Sequence, residues 1–187
     1  MLSTYSTMNK MPLGELMSKI DDESLILDEV LSQTNWGNLA FTVAFHAAVL
    51  EKCFLVTTKE TSSEHAENLY EKAEKLIKFI VKKQANHSFV CEEKNIGEKK
   101  EDSNDIGRVA NKIQQIYDNL DRDNYSLTDV VANITGGTST MSGGMILATL
   151  AEDRKIEYVR QGIALNEEFL KSGNIMLAPK TTYKLTK

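Results

Sequence analysis

The sequence predicts an α/β protein, with a doubly wound, mainly parallel sheet and helices on both faces. Short runs rich in valine, isoleucine and phenylalanine alternate with helix-length segments. Two of these segments carry apolar residues at i, i+3, i+4 spacing, and a third is apolar on nearly every side, as suits a helix buried against a sheet. With 187 residues, 41% of them hydrophobic and 26% charged, the chain can bury a core as one domain without disulfides or metals.

Residues 1–22 carry Pro12, Gly14 and several methionines before any clean period, and predict a partly ordered leader with at most a short helix over 13–20. Residues 23–187 form the domain, with a core over 25–159 and a C-terminal extension over 160–187. Residues 24–31 suit a strand by their apolar run and a helix by Asp28 and Glu29; the polar turn over 32–38 and the greasy segment 39–52 favour a first strand. Residues 53–58 are a second, buried strand. Thr61 and Glu64 have the spacing of a capping box before an amphipathic helix with the stripe Ala66, Leu69, Tyr70, Ala73, Leu76, Ile77 and Ile80.

Residues 88–91 predict a third strand, and the aperiodic charges of 92–102 a solvated loop. Ile106, Val109, Ala110, Ile113, Ile116, Tyr117 and Leu120 mark a second amphipathic helix, closed by a polar turn. The stretch 129–134 is a fourth strand, 139–152 its helix and 155–159 a fifth strand. Residues 174–178 and 182–185 are extended segments on either side of Pro179, as a hairpin or an edge.

A net charge of −5 and a pI near 5.3 argue against broad binding to duplex nucleic acid or anionic membranes. No signal peptide opens the chain and its longest apolar run is too short for a bilayer, which predicts a cytoplasmic protein. Cys53 and Cys91 sit beside apolar runs and are expected as small buried hydrophobes. His46, His65 and His87 share no metal-ligand spacing, so no metal and no cofactor is expected.

The stretch Asn133-Ile134-Thr135-Gly136-Gly137-Thr138 runs from a strand through two glycines into hydroxyl residues that can cap a helix. A strand–Gly-Gly–helix junction is often only a tight connection. It also suits an anion, because first-turn N–H groups point outward and glycine permits close approach. Neither G-x-G-x-x-G nor G-x-x-x-x-G-K-[ST] is present. In a doubly wound sheet the ligand crevice lies at the carboxyl ends of the strands. Three predicted loops fall there: Ser32, Gln33, Thr34, Asn35 and Trp36; Thr58, Lys59, Glu60 and Thr61; and Thr135, Gly136, Gly137, Thr138, Ser139, Thr140 and Met141. Hydroxyls, amides, one indole and one lysine suit base, ribose and phosphate better than acid–base hydrolysis, and Trp36 is either a stacking platform or a packing residue.

The segment from Val131 through Gly136-Gly137-Thr138 to Met141 resembles the signature of CARF domains, the CRISPR-associated Rossmann-fold sensors. Leu55-Val56-Thr57-Thr58-Lys59-Glu60-Thr61, the Ser32-Gln33 turn and Ile156-Glu157-Tyr158-Val159 resemble other parts of that family. The resemblance spans 25–159. It implies a Rossmann-like fold and a homodimer of type III CRISPR antiviral signalling that binds cyclic tetra- or hexa-adenylate across its two-fold axis. Thr135 to Met141 would line the groove, and the other two loops would close it. The family often places lysine directly after Gly-Gly-Thr, where this chain has Ser139. It also often fuses an effector domain, whereas here only a short tail follows Val159. The expectation is therefore a sensor acting on a separate effector chain or by binding alone. The alternatives are a metal-independent ring nuclease that aligns a ribose 2′-hydroxyl for in-line attack, and a domain for another nucleotide.

Overall fold

Pro12, with φ −60° and ψ 147°, leads into the first helix, α1 (Leu13–Asp21), which buries Leu16 and Ile20 one turn apart. The computed structural model describes residues 10–59, 61–64, 66–96, 104–135, 137–150, 154–159 and 176–177. The expected strand over 24–31 is instead a helix, α2 (Leu27–Gln33), with Val30 and Leu31 buried. Leu27, Val30 and Leu31 stand at i, i+3 and i+4, while Asp28 and Glu29 occupy the first turn, where acidic side chains favour a helix. The Lys19 ammonium then bonds both Glu29 carboxylate oxygens at 3.1 Å, tying α2 to α1.

The apolar segment forms α3 (Gly37–His46), followed by a 3₁₀ turn over Ala47–Val49. It buries Ala40, Phe41, Val43 and Ala44, as expected for a helix greasy on most sides, and Gly37 is required where it meets α2. A Cβ at Gly37 would stand 2.4 Å from the Leu31 carbonyl oxygen.

The most periodic helix is α4 (Leu69–Gln84), with Ala73, Leu76, Ile77 and Ile80 buried. It starts later than the Thr61/Glu64 spacing suggests, because residues 61–64 and 66–67 form turns and a bend and Asn68 takes φ 41°. Lys82 pairs with Glu23 at 2.7 Å and Lys75 with Asp21, so α4 is latched to the C-terminal end of α1.

Residue contacts divide the chain into two compact units. The first holds α1, α2, α3 and the chain of α4 from Glu71 onward; the second holds the strands and two further helices, apart from Val90.

In the second unit β1 (Lys52–Thr57) pairs with β2 (Val90–Asn95). Val90 N–H donates to Glu51 O at 3.0 Å and Ile96 N–H to Thr57 O at 2.9 Å; the equal advance on both chains makes the pair parallel. Four residues expected in a charged loop, Glu92, Glu93, Lys94 and Asn95, thus lie in a strand. The pairing accommodates their charges: Glu92 bonds Lys52 at 2.7 Å and Lys94 at 2.8 Å on one face, and Glu93 turns to the other.

Helix α5 (Ile106–Arg122) begins at Asp105, whose carboxylate accepts from Arg108 N–H at 3.1 Å. Its stripe Val109, Ile113, Tyr117 and Leu120 is buried, and the cluster it builds includes Ile96 and Ala148 with Val56, Val130, Met141 and Met145 packed around it. Strand β3 (Val131–Asn133) then leads to α6 (Ser139–Ala148). Strand β4 (Lys155–Tyr158) pairs with β3 in parallel, Ala132 opposite Ile156, and the edge strand β5 (Met176–Leu177) pairs with β4 antiparallel. The predicted extended segment at 182–185 lies outside the described residues.

The chain is therefore mixed α/β with helices and short, mostly parallel strands, in one two-stranded and one three-stranded sheet. No helix among the described residues is long and apolar enough to cross a membrane.

Candidate functional site

Asn133 organises the β3–α6 junction from below. Its carboxamide oxygen accepts from Thr135 N–H at 2.9 Å, turning the chain out of the strand, while its amide donates to the buried Glu157 carboxylate on β4 at 3.2 Å. Ile134 N–H bonds Glu157 O at 3.1 Å, which continues the strand register into the turn. Gly137 is exposed, and a Cβ there would stand 3.1 Å from that of Met141, so the glycine keeps the start of α6 open.

Thr138 caps α6: its hydroxyl oxygen accepts from Met141 N–H at 3.3 Å and its carbonyl from Ser142 N–H at 2.8 Å. Thr135 is used in the same sense, its hydroxyl oxygen accepting from Val159 N–H at 2.7 Å. Each threonine therefore engages a lone pair with the backbone and keeps its proton to donate. Ser142 is opposite, since its hydroxyl gives its proton to Ile134 O at 3.1 Å. By the geometry of any helix start, the N–H groups of Ser139 and Thr140 have no carbonyl one turn back. The junction thus offers hydrogen-bond donors around Gly137. Gly136 lies outside the described residues.

The second predicted loop leaves β1 in the same unit. Thr58 N–H donates to the Thr61 hydroxyl oxygen at 2.8 Å and Thr61 N–H returns to Thr58 O at 3.0 Å, closing a turn that holds Lys59. The Ser62 hydroxyl bonds Lys59 O at 3.1 Å. The Thr61 hydroxyl serves this turn, and the Thr61 carbonyl accepts Tyr70 N–H, in the first turn of α4, at 3.0 Å. Lys59 is exposed and has no ion-pair partner among the described residues; Glu60 lies outside them. Val56, just before this loop, and Met141, in the first turn of α6, pack on the same cluster.

The first predicted loop lies in the other unit and follows a helix. Ser32 donates to Asp28 O at 2.6 Å and Thr34 to Val30 O at 2.7 Å, so both hydroxyls are spent on α2. Gln33 ends α2, Lys10 donates to Asn35, and Trp36 N–H bonds the Thr34 hydroxyl at 3.1 Å just before α3. These five residues build a helix–turn–helix corner.

Sequence reasoning missed Glu93. One of its carboxylate oxygens accepts from the Thr57 hydroxyl at 2.6 Å and from Ser63 N–H at 3.1 Å, and the other takes the Ser63 hydroxyl. Burial pushes the carboxyl up, but the bonds from Ser63 and Thr57 outweigh it and hold Glu93 below the ordinary glutamate value of 4.5. A depressed carboxyl contributes stability that is complete above its unfolded value and lost as pH falls through its folded one. Protection of the Ser63 amide, corrected for intrinsic exchange, is expected to hold from about pH 6 to about pH 4.5 and to fall below that. Protection that stays equal at every pH below the ordinary glutamate value would contradict this assignment.

A cleft of about 470 Å³ lies elsewhere in the second unit, among Lys52, Phe54, Glu92, Lys94, Asn119 and Arg122. None of the predicted site residues lines it. Glu92 bridges Lys52 and Lys94 there, both ammonium groups stand just over 5 Å from the Phe54 ring, Arg122 bonds Asn119, and Asp123 also lines the cleft. No group of three or more metal-ligating side chains occurs among the described residues. His87 contacts Leu50 O at 3.0 Å and His46 packs edge-on to Phe45, while His65 lies outside them.

No family model, curated protein or solved structure matches the chain.

Proposed function

We propose that this chain is a CARF-like sensor that binds a cyclic oligoadenylate of four or six nucleotides, held by two copies of the chain across a two-fold axis. The observation that carries the reading is the donor polarity of the β3–α6 junction. Thr135 and Thr138 each accept a backbone N–H and keep a hydroxyl proton beside the exposed Gly137, an arrangement suited to phosphate oxygens. On this reading Lys59, on the neighbouring loop of the same unit, supplies the cation absent at Ser139. The two sheets are parts of one Rossmann-like doubly wound sheet, in keeping with the parallel pairing of β1 with β2 and of β3 with β4. Ile146, Leu147 and the adjacent Leu150 are exposed at the end of α6, apolar surface of the kind a second copy covers.

Calorimetry with cyclic tetra- and hexa-adenylate tests the reading directly. Binding without turnover supports a sensor; labelled ligand converted to linear products replaces it with a ring nuclease; no binding to either ring removes both. The variant Ser139→Lys restores a fixed cation at the helix start. Tighter binding on the order of 10–100-fold is expected, from a charge-assisted bond of roughly 1.5–3 kcal/mol, or else a shift in ring-size preference. Unchanged affinity and preference would show that position 139 does not face the ligand.

A further inference from the structure

We infer that Glu93 is the positioning residue of the second ligand loop: its carboxylate ties Thr57 and Ser63, on either side of the turn, to β2 and so sets where Lys59 is presented. The inference rests on the sensor reading for its ligand and on this unit's own bonds for its geometry. The turn at Thr58–Thr61 is closed by short-range bonds that would hold it equally well in any orientation. What joins the turn to the sheet lies on either side of it. Thr57 precedes it and Ser63 follows it, and both bond the same carboxylate, across sequence separations of 36 and 30 residues. Thr57 and Ser62 are buried, whereas Lys59 at the tip is exposed. The loop thus has two anchored feet and a free cation between them.

Only an ionised glutamate serves all three donors. Two oxygens accept from the Thr57 hydroxyl, the Ser63 N–H and the Ser63 hydroxyl; a glutamine amide keeps one oxygen and turns a donor toward the others. Glu92, the preceding residue, projects to the opposite face and pairs with Lys52 and Lys94. It therefore serves as a control of equal charge on the same strand.

The test compares the full chain with Glu93→Gln and Glu92→Gln by hydrogen exchange without ligand and by calorimetry with cyclic tetra- and hexa-adenylate. Glu93→Gln is expected to speed exchange at Ser63 by about tenfold or more, while α5 and α6 keep wild-type protection. It should weaken ligand binding by a similar factor, and Glu92→Gln should leave both unchanged. Faster exchange spread evenly over the unit, or none at Ser63, overturns the positioning role. If the wild-type chain binds neither ring, the ligand reading fails, while the exchange comparison still decides whether Glu93 fixes the loop. If exchange rises locally and affinity does not change, the loop is fixed by Glu93 but does not meet the ligand, and the inference is wrong.

Discussion

Gly144→Ala is expected to destabilise the protein by about 1–3 kcal/mol, whereas the same change at its neighbour Gly143 is expected to stabilise it by up to about 1 kcal/mol. Alanine is the better helix former at both positions, so propensity alone predicts two gains. Packing separates them. A Cβ at Gly144 would stand 2.4 Å from Val109 Cγ1, 2.5 Å from Val109 Cβ and 3.0 Å from the Ala110 nitrogen, and neither a Cβ nor a backbone atom can swing aside. At Gly143 the nearest atom is Ile106 Cδ1 at 3.7 Å, an ordinary contact. Helices α5 and α6 can approach this closely only because position 144 has no side chain. Thermal melts of both variants check the opposite signs, at roughly 2–4 °C per kcal/mol for a chain of this size. Val109→Ala added to Gly144→Ala should recover part of the loss. Equal shifts for the two alanine variants would mean that this helix contact is looser than described.

Asn133→Ala is expected to cost roughly 2–4 kcal/mol and, on the proposed sensor reading, to abolish binding of the cyclic ligand. The side chain supplies the acceptor for Thr135 N–H and a donor to Glu157, which is 1% exposed. Losing it withdraws a hydrogen bond from a buried carboxylate and releases the turn that places Thr135 and Gly137. Asn133→Asp keeps the acceptor for Thr135 N–H but loses the amide donor to Glu157, so it should be no better. Urea titration gives the stability and calorimetry the binding. An Asn133→Ala protein with wild-type stability and affinity would remove the junction from the site.

Local pattern made much of this legible. Helix α5 follows its stripe from Val109 to Leu120, the Thr138 cap stands where the Gly-Gly-Thr segment suggested, and β3 and β4 flank α6 as expected. The misplaced elements are those decided by distant partners. Strand β2 carries Glu92 and Lys94, which look like loop until Lys52 is set beside them by pairing. Residues 27–33 have helical spacing in a run too short for periodicity to outvote the apolar cluster around it. Glu93 was hidden because its partners lie on another segment, and nothing in Glu-Glu-Lys-Asn marks one carboxylate as a strut. The corner at Ser32 to Trp36 follows a helix where a strand was expected, because the apolar run before it is read one way by composition and the other by spacing.

The hydroxyl polarity at Thr135 and Thr138 has a consequence for ionic strength. Those donors are neutral dipoles oriented by backbone amides, so on the proposed sensor reading their contribution to phosphate binding should change little with added salt. Lys59 is an exposed charge, and its contribution should be screened as the Debye length contracts from about 10 Å at 0.1 M to about 3 Å at 1 M. On that reading the salt dependence of affinity separates the two loops without a mutation: the slope is expected from the lysine turn, and the affinity that persists at high salt from the threonines.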